Sequence, residues 1–333
     1  MADSDTYDVV IVGAAAAGLA AGIYAARDRY KTAILEKNPF PGGQILLTGE
    51  IANFPGHPKI AGSDLIQQMQ RQAEGFGAEI LTGQTVCGLR RCDDGLLEVE
   101  TDGQAYRARA VILAPGSRHR QLGVPGEKEL REAGRVSYCA TCDGPFYHQK
   151  DILVVGGGNT ALQDAIYLAT QFARRLTLIH RRREFRAAKI LVEQLYETAK
   201  TSTLDVKLPY VLKKIVADGN AIDHVVLENV ESGATESLAV DGVFILVGTM
   251  PNTEFLRGKV DMDPSGYILC DPLTLQTSVP GVFVAGDCRV GAAMQLVTAC
   301  ADGVVAALRL KEYLRNPDIW TETLAKQAQI QGY

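Results

Sequence analysis

Asp8-Val-Val-Ile-Val-Gly13 and Asp151-Ile-Leu-Val-Val-Gly156 are one pattern written twice. Each is a continuous apolar run closed by glycine, as expected of a strand buried on both faces of a parallel sheet. A turn of small residues follows each run. A helical stretch comes next, Gly18 to Arg27 in the first copy and Thr160 to Arg174 in the second. A second apolar run then closes each unit, Thr32-Ala-Ile-Leu-Glu36 and Leu176-Thr-Leu-Ile-His180. Strand, turn, helix, strand is the dinucleotide-binding βαβ arrangement, here present in two copies.

A third segment argues against two consecutive halves. Val282-Phe-Val-Ala-Gly-Asp287 is again a strand ending in glycine and an acid, and the helical Gln295 to Leu314 follows it. An apolar run, Gly242 to Gly248, precedes it. The simplest account is an α/β chain of two Rossmann-like dinucleotide-binding domains, the second inserted into the first. Residues 1–117 and 249–333 form the interrupted domain, and residues 118–248 the insert. The joints, Ala114-Pro-Gly-Ser117 and Val247-Gly-Thr249, carry the small residues and proline suited to a double hinge.

The first turn reads Gly13-Ala14-Ala15-Ala16-Ala17-Gly18. Its outer glycines fit the dinucleotide fingerprint, and Ala15 stands where the middle glycine lets a pyrophosphate approach the backbone. Glu36 lies 23 positions after Gly13, at the end of the second strand. A carboxylate there accepts hydrogen bonds from a ribose diol and repels a 2′-phosphate, so this site suits FAD or NAD. Gly286 and Asp287 sit where a strand gives way to a helix, a place for a ribityl–phosphate chain.

The second turn, Gly156-Gly157-Gly158-Asn159-Thr160-Ala161, fits the same fingerprint with alanine last. No acid follows its second strand. The chain reads His180-Arg181-Arg182-Arg183-Glu184-Phe185-Arg186 instead. Arginines at that point suit a 2′-phosphate through charge-assisted hydrogen bonds. The bland alternative is a solvated basic turn. Acid at one site and arginines at the other separate a free-ribose dinucleotide from NADP.

Seven cysteines are scattered along the 333 residues, at 87, 92, 139, 142, 270, 288 and 300, which is no secreted disulfide framework. Only Cys139-Ala-Thr-Cys142 has redox spacing. Two cysteines so placed close a small disulfide ring and cycle to a dithiol. Half of a zinc site is the alternative, but no second Cys-x-x-Cys exists, and no metal site is expected. Asp143 follows directly and suits a general acid that protonates the released thiolate, its bland reading being a turn carboxylate.

Hydrophobic content of 47%, charge of 22% and a net charge of −5 describe an ordinary globular protein with no reason to bind nucleic acid or an anionic membrane. No apolar run reaches the ~18 residues of a bilayer span. The short acidic start, Met1 to Asp8, does not read as a signal peptide, so a cytoplasmic location is expected.

With these residues in hand, the chain resembles the bacterial-type, low-molecular-weight thioredoxin reductases over roughly residues 6–315. The likeness rests on Gly42-Gly43-Gln44, Asn53-Phe-Pro-Gly56, Cys139-Ala-Thr-Cys-Asp143, Gly156-Gly-Gly-Asn-Thr-Ala161, His180-Arg-Arg with Arg186, Gly248-x-x-Pro-Asn252 and Gly286-Asp287. The resemblance implies FAD in the interrupted domain, with Gly43, Gln44, Asn53 and Gln295 added to its site, and NADPH in the insert. It implies hydride transfer from NADPH to the flavin, which reduces the disulfide. Cys142 would face the flavin, and Cys139 would attack the disulfide of a thioredoxin-like partner. It further implies rotation of the insert and a homodimer. Four places depart from the family pattern: Ala15 with Ala16, Pro115, Met294 before Gln295, and the polar tail Asp318 to Tyr333.

Those departures cluster around the flavin and keep alternatives open. One is a relative that takes electrons from ferredoxin, or carries a second FAD in the NADPH-type site, with net electron flow in either direction. Another is a flavin-binding sensor without turnover. The tail reads first as a disordered terminus, and the functional alternative is Tyr333 stacking on the isoalloxazine ring.

Overall fold

A computed structural model of the chain describes residues 6–48 and 50–318. Tyr333 and its proposed stacking lie outside the described residues. Two compact units divide the chain, Met1–Arg118 with Met250–Tyr333, and His119–Thr249.

The first unit opens with β1 (Thr6–Val12), α1 (Ala16–Arg27), β2 (Thr32–Glu36), α2 (Gly62–Gly75) and β3 (Glu79–Thr82). It continues through β4 (Val86–Arg91), β5 (Leu97–Thr101) and β6 (Ala105–Leu113) into the connection β7 (Ser117–His119). The second unit follows with α3 (Glu127–Glu132), β8 (Val136–Ser137), the single turn α4 (Ala140–Asp143), β9 (Asp151–Gly156), α5 (Asn159–Gln171) and β10 (Arg175–Ile179). Next come α6 (Lys189–Thr201), β11 (Leu204–Lys207), β12 (Tyr210–Asp218), β13 (Ala221–Asn229), β14 (Thr235–Leu238) and β15 (Gly242–Leu246). The connection β16 (Thr249–Pro251) pairs with β7 and leads back to β17 (Val282–Val284) and α7 (Leu296–Arg315) of the first unit.

In the first unit the sheet order is β3-β2-β1-β6-β5-β4, with β17 also on β6. The strands β3, β2, β1, β6 and β17 run parallel, in a register that sets Val12 beside Leu35 and Leu113. β4 and β5 extend it antiparallel. Alternate side chains of β1 enter different cores. Val9 and Ile11 join Leu19, Leu65 and Leu310 on the helical face, while Val10 and Val12 join Leu89, Leu97 and Val284 on the other. Both faces are therefore dry, which is why the strand reads as an unbroken apolar run. Each such Val or Ile contributes about 1.5–3 kcal/mol by burial.

Helix α1 is built of alanine and glycine because its neighbours come very close. A Cβ on Gly22 would stand 2.4 Å from Ile34 Cδ1, and one on Gly303 of α7 would stand 2.1 Å from the Ala17 carbonyl oxygen. Small residues let both helices settle onto the sheet and onto each other.

The second unit carries a parallel sheet in the order β11-β10-β9-β15-β8. Ile152 and Val154 of β9 face Leu162, Leu168 and Leu195 of the helices. Leu153 and Val155 face Leu212, Ile215 and Val225 of a three-stranded antiparallel sheet, β12-β13-β14. Among the described residues no helix is long and apolar enough to cross a membrane.

Candidate active site

The redox turn is assembled where β8 runs out. Ser137 ends the strand, Tyr138 follows, and Cys139 stays extended (φ −140°, ψ 104°) as the N-terminal cap of α4. One helical turn brings residues i and i+3 to the same side. Cys139 and Cys142 accordingly form a disulfide with their Cα atoms 5.3 Å apart, and Cys139 Sγ accepts the Cys142 backbone N–H at 3.2 Å. The Asp143 N–H donates to the Cys139 carbonyl at 3.1 Å, and the Asp143 carboxylate accepts the Ser137 hydroxyl at 2.6 Å. Burial pushes the Asp143 pKa up, and the Ser137 hydrogen bond opposes that shift. A partly buried carboxyl biased toward its protonated form is a proton source one residue from Cys142 and four from Cys139. Ala140 lies in the same core as α5, and the Gly144 backbone comes so near Leu168 and Phe172 that a Cβ would touch them at 3.0–3.2 Å. The redox turn and the second nucleotide turn thus share one unit.

In the first unit the outer glycines of the turn are sterically obligatory. Gly13 has φ +102°, and a Cβ there would lie 2.3 Å from the Ala114 carbonyl oxygen. A Cβ on Gly18 would lie 1.8 Å from the Gly13 oxygen. Ala15 stays extended before α1, and no side chain caps that helix, so its first N–H groups face outward for an anion. The Ala15 methyl lies 3.5 Å from where a Gly43 Cβ would be, so the two residues line one side of the turn. Glu36 is buried, at 5% exposure. Its Oε2 accepts the Ala14 N–H at 3.0 Å, and its Oε1 accepts the backbone and side-chain N–H groups of Asn38 at 2.9 and 2.7 Å. Each carboxylate oxygen offers two lone pairs, so Oε2 retains one for a ribose hydroxyl. The residues present therefore fit an adenosine ribose and pyrophosphate.

Other residues expected at this site have varied surroundings. Gln44 donates its side-chain amide to the Ser117 carbonyl. Asn53 is exposed in the loop that Ile51 and Ile60 pin together. Gly286 (φ +78°) donates its N–H to Asp302 Oδ2 at 3.0 Å. The side chain of Asp302 is gripped by Arg289 at 2.7 and 2.9 Å. Burial, and next the Asp302 charge, push the Asp287 carboxyl up to about 6, with Arg289 opposing. Gln295 caps α7, with its carbonyl accepting the Thr298 hydroxyl at 2.8 Å. Arg289 and Asp302 had no local signal in the sequence, because their roles depend on α7 folding back onto the Gly286 turn.

In the second unit Gly156 has no room for a side chain, since a Cβ would meet Ala161 at 2.4 Å and the Leu246 oxygen at 2.6 Å. Gly158 is the extended residue before α5, which again lacks a side-chain cap. Thr160 is exposed in the first turn. The Asn159 Oδ1 accepts the Ala188 N–H at 2.8 Å. The Arg186 N–H donates to the Gly157 carbonyl at 2.9 Å. These two bonds fasten the arginine segment to the Gly-rich turn. Within that segment Arg183 is taken, its guanidinium forked onto Glu231. Arg181, Arg182 and Arg186 are exposed and make no ion pair within the described residues. His180, at the end of β10, is buried, and its Nε2 is the buried side-chain polar atom without a partner among the described residues. Burial, then the Arg181, Arg186 and Arg182 charges, lower its pKa, so it stays neutral near pH 7. Arginines without an ion pair, beside an imidazole whose Nε2 has no partner among the described residues, fit a phosphorylated ribose. Among the described residues no cluster of acids, histidines and cysteines could hold a metal.

A redox disulfide next to a partly buried acid, with two dinucleotide turns, one acid-ended and one arginine-ended, defines a dinucleotide-linked disulfide oxidoreductase. Comparison with known proteins agrees. Residues 7–303 match the family described as pyridine nucleotide-disulphide oxidoreductase. A thioredoxin reductase of Peptoclostridium acidaminophilum is 40% identical over 326 residues, covering 93% of this chain and 98% of that one. Among solved structures, the thioredoxin reductase of Streptococcus pyogenes superposes with a TM-score of 0.87 at 38% identity, covering 94% of this chain and 99% of that one. That of Giardia duodenalis gives 0.86 at 33% identity, covering 94% and 100%. The chain belongs to the pyridine nucleotide-disulphide oxidoreductase family, within its low-molecular-weight thioredoxin reductase branch. It is a flavin-dependent disulfide oxidoreductase.

Proposed function

We propose that the chain reduces a protein disulfide of the thioredoxin type with electrons from NADPH. NADPH binds the unit holding Gly156, Gly158, Thr160 and Arg181, and FAD binds the unit holding Gly13, Gly18, Glu36 and Asp287. Bound FAD supplies the two-electron relay between nicotinamide and disulfide. The observation that carries the reading is the pairing, in one unit, of the Cys139–Cys142 disulfide with three arginines that have no carboxylate partner among the described residues. A second FAD there would leave those arginines without a 2′-phosphate to bind.

The chain's own residues divide the work. Arg181, Arg182 and Arg186 select the 2′-phosphate. Cys142 takes the electron pair as the S–S bond opens, Asp143 donates a proton to one sulfur, and Cys139 attacks the partner disulfide. The family likeness also supports a homodimer and a cytoplasmic location. Anaerobic titration of the purified protein tests the reading. One FAD per chain, reduced by NADPH and much less readily by NADH, is the expected result. A flavin that ignores NADPH, or two flavins per chain, overturns it.

A further inference from the structure

We infer that the Ser137 hydroxyl is the positioning residue that lets Asp143 change protonation state in place, by turning its one hydrogen between the Asp143 carboxylate and the Cys139 carbonyl. This inference deepens the proposed function and rests on Asp143 being the acid in it.

Ser137 is buried, at 3% exposure, so its hydroxyl must find partners within the protein. Three groups lie within reach of Oγ. The Asp143 Oδ2 is at 2.6 Å, the Cys139 carbonyl oxygen at 3.3 Å, and the Cys139 N–H donates to Oγ at 3.1 Å. A hydroxyl carries one hydrogen and two lone pairs. With Asp143 ionised, the short charge-assisted bond claims the hydrogen. With Asp143 protonated, its own O–H donates to Oγ across the same gap. Oγ then accepts from Asp143 and from the Cys139 N–H, and its hydrogen turns to the Cys139 carbonyl. That carbonyl already accepts the Asp143 N–H at 3.1 Å and has a second lone pair to offer. Every buried polar atom keeps a partner in both states, so the side chains need not move.

The chemistry balances. Two electrons delivered through the cofactors break the S–S bond, and one proton from Asp143 leaves a thiol and a thiolate. Asp143 becomes a carboxylate, and the Ser137 hydrogen turns toward it. Oxidation runs the same steps backward. Two further titratable groups lie on elements packed against the redox turn. Tyr147, on the next turn, donates its hydroxyl to the Gly134 carbonyl at 2.9 Å. Asp164 lies on α5, which packs against α4, and burial alone pushes it up to about 6. Neither has a hydrogen bond to Asp143 among the described residues.

The test uses the full-length FAD-loaded protein. The Asp143 carboxyl is titrated by difference infrared spectroscopy and assigned with Asp143→Asn. Ser137→Ala should move the Asp143 titration to higher pH and slow disulfide turnover about tenfold, a part of the roughly 10²–10⁴-fold that a general acid contributes, since Asp143 itself is kept. Ser137→Thr keeps the hydroxyl and should hold both close to the parent. An unshifted Asp143 titration in folded Ser137→Ala overturns the inference. If that variant does not fold, cysteine labelled at its carbonyl carbon is read in the parent protein. The Cys139 carbonyl band should move to lower frequency as Asp143 protonates, and a band that stays still overturns the inference equally. Failure of NADPH to drive turnover would instead sink the proposed function and leave the titration readable.

Discussion

Arg183 forks its guanidinium onto both carboxylate oxygens of Glu231, on the turn after β13. That pairing occupies one of four clustered arginines and leaves Arg181, Arg182 and Arg186 for the proposed 2′-phosphate contact. Arg181→Ala should therefore raise KM for NADPH about tenfold with kcat nearly unchanged, the signature of a lost binding contact. Arg183→Ala should leave KM within about twofold, since exposed ion pairs are worth little. Steady-state kinetics of both variants with NADPH and NADH decides the matter. Equal losses at the two positions would mean that Arg183 also meets the phosphate.

Asp287 illustrates a conflict between stability and function. Its folded pKa, about 6, lies above the ordinary carboxylate value of 3.8. Between those two pH values the folded state binds more protons than the unfolded, so stability falls as pH rises through about 6. Asp287→Asn abolishes that cost. The apo variant should gain up to about 3 kcal/mol at pH 8 and nothing at pH 3, by the 1.36 kcal/mol carried per pKa unit. The same change should weaken FAD retention, because the carboxylate is the expected partner of the ribityl chain. Thermal melts of the apoprotein at the two pH values, with the flavin content of the purified variant, check both halves. An unchanged melt at pH 8 would refute the first.

The sequence displays some of these features openly and hides others. Gly13, Gly18 and Gly156 can be read directly from the spacing of the fingerprint, though only the clashes of Gly18 with the Gly13 oxygen and of Gly156 with Ala161 are local to the motif, and that of Gly13 is with the distant Ala114 carbonyl. Glu36 is equally plain from its distance to the first turn. Arginine as a residue type can be read too, but which arginines are free cannot, since Glu231 lies 48 positions from Arg183. That Asn159 also braces Ala188 cannot be read either, since Ala188 lies beyond the arginine segment. The antiparallel sheet β12-β13-β14 escapes a reading by alternation. A register shift between Leu212 and Lys214 spaces the buried residues Leu212 and Ile215 three apart instead of two. Ser137 offers only a serine before a cysteine pair, and its meaning depends on Asp143 turning back over one helical turn.

His119 stacks on Tyr138 with ring centroids 5.1 Å apart and planes at 17°. Tyr138 also donates its hydroxyl to Glu127 at 2.6 Å, and the Arg131 guanidinium lies 4.8 Å from its ring. Burial, then the Arg131 charge, lowers the His119 pKa from 6.5 to about 4. The unfolded chain therefore binds the proton more tightly, and stability is lost as pH falls from about 6.5 toward 4. The loss amounts to no more than about 3 kcal/mol from this group. His119→Phe keeps the stack and removes the titration. Its stability should depend less on pH across that window, as measured by urea unfolding at pH 7.5 and 4.5. Parallel curves for parent and variant would show that His119 does not carry the effect.

Gly157 is held against the imidazole of His180. A Cβ there would stand 2.3–2.5 Å from three ring atoms, well inside van der Waals contact. The ring cannot swing aside cheaply, because it is buried and stacks on Phe185 at 5.6 Å and 22°. Phe185 in turn precedes Arg186, whose N–H is bonded to the Gly157 carbonyl at 2.9 Å. Gly157→Ala should therefore cost about 1–3 kcal/mol through overpacking. It should also raise KM for NADPH about tenfold by displacing the arginine segment. Flavin content should hold, since FAD is proposed to bind the other unit. Adding His180→Ala opens the space that the new methyl needs, so the double variant should recover stability relative to the sum of the two single changes. A double-mutant cycle read by chemical unfolding measures this coupling. Simple additivity would show that the strain lies elsewhere than between Gly157 and His180.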